Sequence, residues 1–260
     1  MTILSKIVQT KRNEVSKLRE IGEARLIELA AGSGPTRGFL ERLRRPGMQV
    51  IAEVKQASPS AGILRHPFLP EEIANSYAQA GAACLSVLTD ESYFKGSLDH
   101  LKQARAAVGI PVLRKDFIID RLQVYEARAA GADAILLIAE ILESHELLEL
   151  LNLARSLKMD ALVEVHDPSS ISKAVAINAP LIGVNNRDLR TFTTCLEHSL
   201  NIRPLLPKEC LVVSESGIKQ PSDIALLEAG GIKAVLVGET FMRAEDPGAK
   251  LKWLMNFSKS

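Results

Sequence analysis

The stretch AAGADAILLIAE (129–140) has the pattern of a helix end, a glycine turn and a buried strand. Similar stretches occur at 79–89 (QAGAACLSVLT) and 228–239 (EAGGIKAVLVGE), and a weaker copy, NAPLIGVN, lies at 178–185. The repeats follow one another at intervals of roughly 50 residues, and a βα unit of ordinary strand and helix length takes roughly 25. Each repeat therefore marks every second βα unit, and four periods make eight units.

The glycines of the three stronger copies align at Gly81, Gly131 and Gly230, with separations of 50 and 99 residues. Four further apolar runs lie between the marked strands. They are QVIAEVK (49–55), PVLRKD (111–116), ALVEV (161–165) and CLVVSE (210–215).

The eight runs are short, rich in Val, Ile and Leu, and not alternating, which is typical of parallel strands buried on both faces. The stretches between them have helical periodicity and often begin with Asp, Ser or Pro, residues that favour helix starts. An open doubly wound sheet is the alternative, but its Gly-rich fingerprint is missing from KQASPSAG (55–62), which ends the first run and follows it. The sequence predicts an α/β fold, a (β/α)8 TIM barrel over 48–257, within a single domain.

An N-terminal helical extension is predicted over residues 1–47. It either covers the mouth of the barrel or plugs its bottom, and the sequence leaves both interpretations open. Apolar residues spaced for one helical face support the prediction. They are Ile3, Ile7, Val8, Val15, Leu18, Ile21, Leu26, Ile27 and Leu29.

Composition narrows the class of protein. The chain has 260 residues, a formal net charge of +1 and 47% hydrophobic residues, so neither a nucleic-acid surface nor disorder is indicated. Cys84, Cys195 and Cys210 lack the spacing of a disulfide framework or a zinc site. No signal-peptide core or membrane-spanning run is present, which favours a cytoplasmic protein. A monomer is compatible with the sequence, which leaves the oligomeric state open.

Polar side chains end several of the predicted strands. In a TIM barrel the carboxyl ends of the strands meet at one mouth, where the reacting groups lie. A charge buried without a partner costs several kcal/mol, roughly, so these side chains are expected to converge there. The candidates for catalysis are Glu53, Lys55, Lys115, Glu164, Asn185 and Glu215.

The lysines and glutamates of this set come from odd-numbered strands, which share side-chain layers inside such a barrel. Two alternatives stay open: the glutamates keep both lysines protonated, or one lysine acts as an acid and one glutamate as a base. His166 directly follows the fifth predicted strand and is a further candidate for an acid–base group. Asn186 and Asp188 are predicted to build a turn, and Arg187 is a candidate partner for a mouth carboxylate.

A phosphate site is predicted after the seventh and eighth strands, where barrels of this type often bind phosphate. Ser216-Gly217 and Gly238-Glu239 stand at these positions. Glycine lets backbone N–H groups approach an anion closely, and Ser216 adds a hydroxyl donor. The partner predicted from these residues is a small phosphorylated substrate, with no nucleic acid and no membrane.

Seven long motifs, in this order, strongly resemble the indole-3-glycerol-phosphate synthase family, over essentially the whole chain. They are AEVKQASPSAG (52–62), SVLTDESYFKGS (86–97), VLRKDFIID (112–120), LVEVHD (162–167), IGVNNRDLRTF (182–192), VSESGI (213–218) and VLVGETFM (235–242). The resemblance implies conversion of 1-(2-carboxyphenylamino)-1-deoxyribulose 5-phosphate to indole-3-glycerol phosphate, with loss of carbon dioxide and water. The implied class is a carbon–carbon lyase of tryptophan biosynthesis.

The resemblance also implies roles. Lys115 matches the general acid that protonates the ribulose carbonyl, and Glu164 the carboxylate that assists proton removal and dehydration. Lys55 matches the second lysine, and which lysine serves which step is left open. Further residues match positions that place the substrate and stabilise positive charge. These are Glu53, Asn185 and Glu215, with Ser58 as a hydroxyl contact.

Ser216, Gly217, Gly238 and Glu239 match phosphate-loop positions, where Glu239 replaces a Ser of some relatives and its carboxylate must turn away from the anion. The aryl ring is implied to lie among apolar side chains. They match Phe94, Phe117, Leu136, Leu189 and Leu236, of which Leu136 and Leu236 are equally well explained by core packing. The implied chemistry needs no metal and no cofactor.

Two rival functions remain at this point. A phosphoribosylanthranilate isomerase-like barrel would need a Cys at the end of the first strand and an Asp on the fifth, whereas this chain has Glu53, Lys55 and Glu164. A non-catalytic barrel that binds a phosphorylated ligand is disfavoured because every proposed catalytic position carries a competent side chain.

Overall fold

The computed structural model describes residues 3–188 and 193–255. Eight parallel strands form a closed barrel in which each strand pairs with its neighbours in chain order, and the last strand pairs with the first. The prediction of a (β/α)8 barrel is confirmed. The strands are β1 (Gln49–Val54), β2 (Cys84–Leu88), β3 (Val112–Lys115), β4 (Ala134–Ile138), β5 (Asp160–Val165), β6 (Leu181–Asn185), β7 (Leu211–Glu215) and β8 (Ala234–Val237).

Helices alternate with the strands around the barrel. Before the barrel come α1 (Ile3–Ile21), α2 (Glu23–Ala31) and α3 (Phe39–Leu43). The helices that follow are α4 (Pro70–Gln79), α5 (Glu91–Phe94), α6 (Leu98–Ala107), α7 (Arg121–Ala129), α8 (Ser144–Ser156), α9 (Pro168–Ala176), α10 (Glu197–Ile202), α11 (Pro221–Ala229), α12 (Glu239–Met242) and α13 (Pro247–Met255). Within the described ranges, no helix combines the length and apolar character needed to cross a bilayer.

The 50-residue repeat corresponds to one kind of turn between a helix and the next strand. Gly81, Gly131 and Gly231 adopt left-handed φ angles of 95°, 89° and 79°. Asn178, with φ of 51°, takes the same place in the weaker copy. The alignment on Gly230 was therefore wrong by one residue, because the left-handed position that ends the helix is Gly231.

Inside the barrel, each odd strand places an apolar residue two positions before its charged one. Ile51, Leu113, Leu162 and Val213 form part of the buried interior, and Glu53, Lys115, Glu164 and Glu215 follow them toward the mouth. Since side chains two apart share a face of a strand, the charges lie directly above an apolar floor.

The N-terminal extension reaches both ends of the barrel. Ile3, Leu4 and Ile7 of α1 line a cavity at the mouth. Phe39 and Leu43 of α3 pack into the bottom of the barrel interior and are fully buried. The extension thus does both: α1 helps to cover the mouth of the barrel, and α3 plugs its bottom.

The predicted apolar face of the extension is wrong at three positions. Ile21, Ile27 and Leu29 have 52%, 42% and 41% of their surface exposed. The buried face of α2 is instead the pair Leu26 and Ala30, which lie one turn apart. The short α2 buries a narrow stripe, and its other apolar residues face outward.

Candidate active site

A cavity of about 540 Å³ opens at the carboxyl ends of the strands. Of the predicted site residues, Leu189 lies outside the described residues. All the others line this cavity: Glu53, Lys55, Ser58, Phe94, Lys115, Phe117, Leu136, Glu164, Asn185, Arg187, Glu215, Ser216, Gly217, Leu236, Gly238 and Glu239.

Lys115 lies at the centre of a buried ion cluster. Its Nζ donates to Glu164 Oε2 at 2.9 Å and to Glu215 Oε2 at 2.6 Å. Asn185 Nδ2 donates to the other oxygen of Glu164 at 3.2 Å. Strands β3, β5, β6 and β7 therefore place an ammonium, two carboxylates and an amide in direct contact.

The protonation of this cluster follows from burial and from its charges. Burial lowers the pKa of Lys115, but Glu164 and Glu215 outweigh burial and raise that pKa above its ordinary value. Burial raises the pKa of Glu164, yet Lys115 holds it below the ordinary value. Burial, reinforced by Glu164, raises the pKa of Glu215 to about 7 against the pull of Lys115. At neutral pH the cluster thus holds a charged ammonium, a charged carboxylate and a carboxyl near its midpoint.

A second ion pair lies beside the first. Lys55, directly after β1, donates a hydrogen bond to Glu53 Oε2. Two glycines leave space for the carboxylates, Gly183 on β6 and Gly238 directly after β8. A Cβ on Gly238 would lie 2.1 Å from Glu53 Oε2, and a Cβ on Gly183 would lie 2.1 Å from Glu215 Oε1. No side chain at these two positions is compatible with the observed carboxylates.

The loop after β7 has an unusual backbone. Ser216 and Gly217 both have left-handed φ angles, 70° and 84°, and a Cβ on Gly217 would lie 2.4 Å from the Thr194 methyl group. The buried Asn186 donates to the Ser216 carbonyl oxygen at 3.1 Å. Asn186 therefore fixes the loop after β7, and Arg187, next to it, forms an antiparallel bridge with Thr194.

Glu239 turns its carboxylate toward two arginines. Arg187 Nη2 donates to Glu239 Oε2 at 3.1 Å, and Arg243 Nε donates to Oε1 at 3.0 Å. Burial alone would raise the pKa of Glu239, but Arg243 and Arg187 lower it. Arg187, a predicted partner for a mouth carboxylate, also donates to Ser60 Oγ at 2.8 Å.

The sequence reasoning missed several cavity residues. Lys219, Arg243 and Lys250 also line the cavity, and Arg243 contacts Glu239. They lie in loops and helices beyond the strand ends, where no sequence pattern marks a side chain as facing the mouth. The same holds for Ile3 of the extension.

The apolar side of the cavity contains the rings of Phe94 and Phe117, with centroids 6.1 Å apart. Leu136 and Leu236 are nearly fully buried in the barrel interior and also line the cavity, so packing and cavity contact coexist. His166 lies apart from the cavity, and its Nδ1 hydrogen-bonds with the Asn185 carbonyl oxygen at 2.8 Å. Among the described residues, no three His, Cys, Asp or Glu side chains are arranged to hold a metal ion.

Comparison with known proteins shows the family and the fold of the chain. A family model described as indole-3-glycerol phosphate synthase matches residues 4–254. A protein of that name from Bordetella pertussis is 50% identical over 258 residues, which cover 97% of this chain and 98% of the relative. The solved structure of tryptophan synthase subunit alpha from Legionella pneumophila superimposes with a TM-score of 0.61 at 15% identity. The match covers 85% of this chain and 97% of the Legionella chain. At that identity the likeness shows the fold alone.

Proposed function

The chain belongs to the indole-3-glycerol phosphate synthase family, and from this membership we propose how its residues close the indole ring. The substrate is 1-(2-carboxyphenylamino)-1-deoxyribulose 5-phosphate, and the products are indole-3-glycerol phosphate, carbon dioxide and water. The enzyme is then a carboxy-lyase of tryptophan biosynthesis. The observation that carries the assignment of roles is the Lys115 ammonium held between Glu164 and Glu215 at the cavity floor.

Lys115 is the general acid of the first step. The ring carbon that bears the carboxylate attacks the ribulose carbonyl carbon, a carbon–carbon bond forms, and the carbonyl oxygen takes a proton from the Lys115 ammonium. Electrons from the aniline nitrogen move into the ring, which leaves positive charge on the nitrogen. The carboxylates of Glu53 and Glu215 line the cavity and stabilise this charge.

Loss of carbon dioxide then returns two electrons to the ring and restores its aromaticity. In the last step Glu164 takes the proton from the carbon beside the nitrogen, and the hydroxyl group leaves as water after protonation by the Lys55 ammonium, because Lys115 gave up its proton in the first step. The low pKa of Glu164 keeps it ionised, and its contact with Asn185 orients it for this role.

The remaining residues bind the substrate. Phe94 and Phe117, with Leu136 and Leu236, enclose the aryl ring, and Leu189 is assigned to the same group from the family resemblance. Lys55 pairs with the substrate carboxylate, and Ser58 contributes a hydroxyl contact. The phosphate is held by Ser216, Gly217 and Gly238, with Arg187 and Glu239 at the same end of the cavity.

We further propose that the enzyme is cytoplasmic and uses no metal or organic cofactor, since proton transfer and rearomatisation account for each step. Residues 1–47 and 48–257 act as a single domain, because α1 contributes to the cavity wall and α3 fills the barrel bottom. The family match does not favour a phosphoribosylanthranilate isomerase-like activity.

The test is conversion of the carboxyphenylamino substrate by the purified protein, followed by indole fluorescence in the presence of a chelator. We expect turnover, with carbon dioxide released in equal amount. A barrel that binds the substrate and returns it unchanged would be the non-catalytic binder, and the proposed function would be wrong. Turnover that stops with chelator would contradict the metal-independent mechanism.

A further inference from the structure

A buried ammonium group outside the proposed machinery connects the extension to the barrel. Lys11 on α1 is 1% exposed, and its Nζ lies 2.8 Å from both Asp90 Oδ2 and Asp116 Oδ1. Burial lowers the pKa of Lys11, but Asp116 and Asp90 raise it above the ordinary value, so the group is charged. Glu14, on the solvent side, accepts a third contact at 2.9 Å.

Each of these aspartates holds the backbone of one cavity phenylalanine. Asp90 caps α5, and its Oδ1 accepts from the backbone N–H of Phe94 at 3.2 Å. Asp116 directly follows Lys115, and its Oδ1 accepts from the backbone N–H of Phe117 at 2.8 Å. The Lys11 ammonium thus joins the two loops that carry the aromatic pair.

The same helix makes a second contact with the first of these loops. Thr10 Oγ1 and Tyr93 Oη are 2.9 Å apart, and Tyr93 precedes Phe94 in α5. One turn earlier, Ile7 of α1 lines the cavity. The buried face of α1 is therefore continuous with the apolar wall at which Phe94 lies.

A purely structural brace is the competing explanation. Asp116 has other partners, since Thr89 Oγ1 and Arg114 Nη2 donate to its Oδ2 at 2.5 and 3.2 Å. Asp90, in contrast, has only Lys11 as a cationic partner among the contacts of the described residues. A buried ion cluster is weak support for a stabilising role, because desolvation offsets much of the attraction. What distinguishes this cluster is its connection to both aromatic residues.

Resting on the proposed function, we propose that Lys11 is a positioning residue that sets the spacing of Phe94 and Phe117 and so the affinity for the aryl half of the substrate. The phosphate half binds at the far end of the cavity, near Ser216 and Glu239, and does not depend on this contact. Loss of Lys11 should therefore weaken binding of the aryl half and leave binding of the phosphate half unchanged. A general loss of stability would weaken binding of both halves.

The experiment measures two probes by direct binding with ligand-observed NMR. The aryl probe is 2-(methylamino)benzoate, and the phosphate probe is glycerol 3-phosphate. The variant Lys11→Met keeps the length of the side chain and removes its charge. We expect its dissociation constant for the aryl probe to rise about tenfold, because misplacement of binding groups by about 1 Å has effects of that order or larger. The constant for the phosphate probe should stay within about twofold.

Two matched controls share features with Lys11→Met. Lys17→Met makes the same replacement at an exposed position of the same helix. Glu14→Gln removes one ion pair of Lys11 without touching either loop. Both controls should bind the two probes as the unaltered protein does.

Unchanged aryl affinity in folded Lys11→Met, or equal weakening of both probes, would overturn the proposal. If that variant does not fold, Asp90→Asn decides by the same criterion, since its amide oxygen keeps the acceptor for the Phe94 N–H, while its amide nitrogen replaces the carboxylate oxygen that faces Lys11 and so breaks the ion pair. A wild-type protein that binds both probes but does not turn over the substrate would refute the proposed function. The change in the two dissociation constants on replacing Lys11 would still decide the role of Lys11.

Discussion

Replacing Lys115 with Met removes the ammonium that two buried carboxylates share. Met has a similar length and fills the same space, so the change isolates the charge and its hydrogen bonds. Glu164 and Glu215 are left without the donor that now lies 2.9 and 2.6 Å from their oxygens. Both consequences, for catalysis and for stability, follow from those two contacts.

The expected magnitudes follow from the burial of the cluster. At an effective dielectric constant of about 20, two unit charges about 3 Å apart attract by roughly 5 kcal/mol. Removing one partner from a buried pair typically costs about 3–5 kcal/mol of unfolding free energy. Loss of a general acid lowers kcat by about 10²–10⁴-fold. We expect Lys115→Met to show both effects at pH 8.

The destabilisation should depend on pH with a defined sign. Without the ammonium, the pKa values of Glu164 and Glu215 both rise above their unfolded values. Between about pH 4.3 and those raised values, the native state then binds more protons than the unfolded state, so stability falls as pH rises. Lys115→Met should therefore lose less stability at pH 5.5 than at pH 8.

Three measurements check this prediction. Indole fluorescence gives kcat, equilibrium titration with indole-3-glycerol phosphate gives product affinity, and urea unfolding at pH 5.5 and 8 gives stability. A kcat within tenfold of the wild-type value would remove Lys115 from its role as general acid. Equal destabilisation at both pH values would show that the carboxylates do not depend on its charge.

Three further changes test other parts of the structure. Gly183→Ala places a Cβ 2.1 Å from Glu215 Oε1, so kcat/KM should fall about 100-fold as the carboxylate is displaced, and steady-state kinetics at the wild-type level would contradict this. Glu215→Gln removes a carboxyl whose pKa is raised to about 7. Because of that carboxyl, the unfolding free energy of the wild type falls as the pH rises from about 4.3 to 7. Urea unfolding should therefore show that the variant gains stability relative to the wild type as the pH rises through this window. Phe39→Ala should cost about 3–5 kcal/mol in urea unfolding while kcat is unchanged, and a lost kcat in the folded variant would argue against a purely structural plug.

The barrel could be predicted because its repeating units carry local signals. Each strand is a short apolar run, and Gly81 and Gly131 mark turns whose left-handed backbone glycine adopts without steric cost. The polar residues that end the runs were also visible, because a buried strand rarely tolerates an idle charge. Local chemistry was therefore enough to predict the fold class and the polar side chains that end the strands at the mouth.

Contacts between residues far apart in the chain could not be predicted from the sequence. Nothing local shows that Lys115 contacts Glu215, since they lie 100 positions apart and meet only when the barrel closes. No local pattern of the N-terminal extension marks Lys11 as a buried side chain, although it is almost completely buried. Phe39 was likewise one apolar residue among many, because plugging the barrel bottom depends on how the extension folds back.

The glycines at 183 and 238 have a consequence for redesigning this barrel. Each lacks a side chain where a carboxylate of the adjacent odd strand lies, so the carboxylate and the glycine beside it come from neighbouring βα units. If a new catalytic group were introduced by changing only the odd strand, it would leave a void or a steric clash at the glycine of the neighbouring unit. New chemistry here has to be introduced in pairs of neighbouring strands, with one supplying the functional group and the other giving up its side chain.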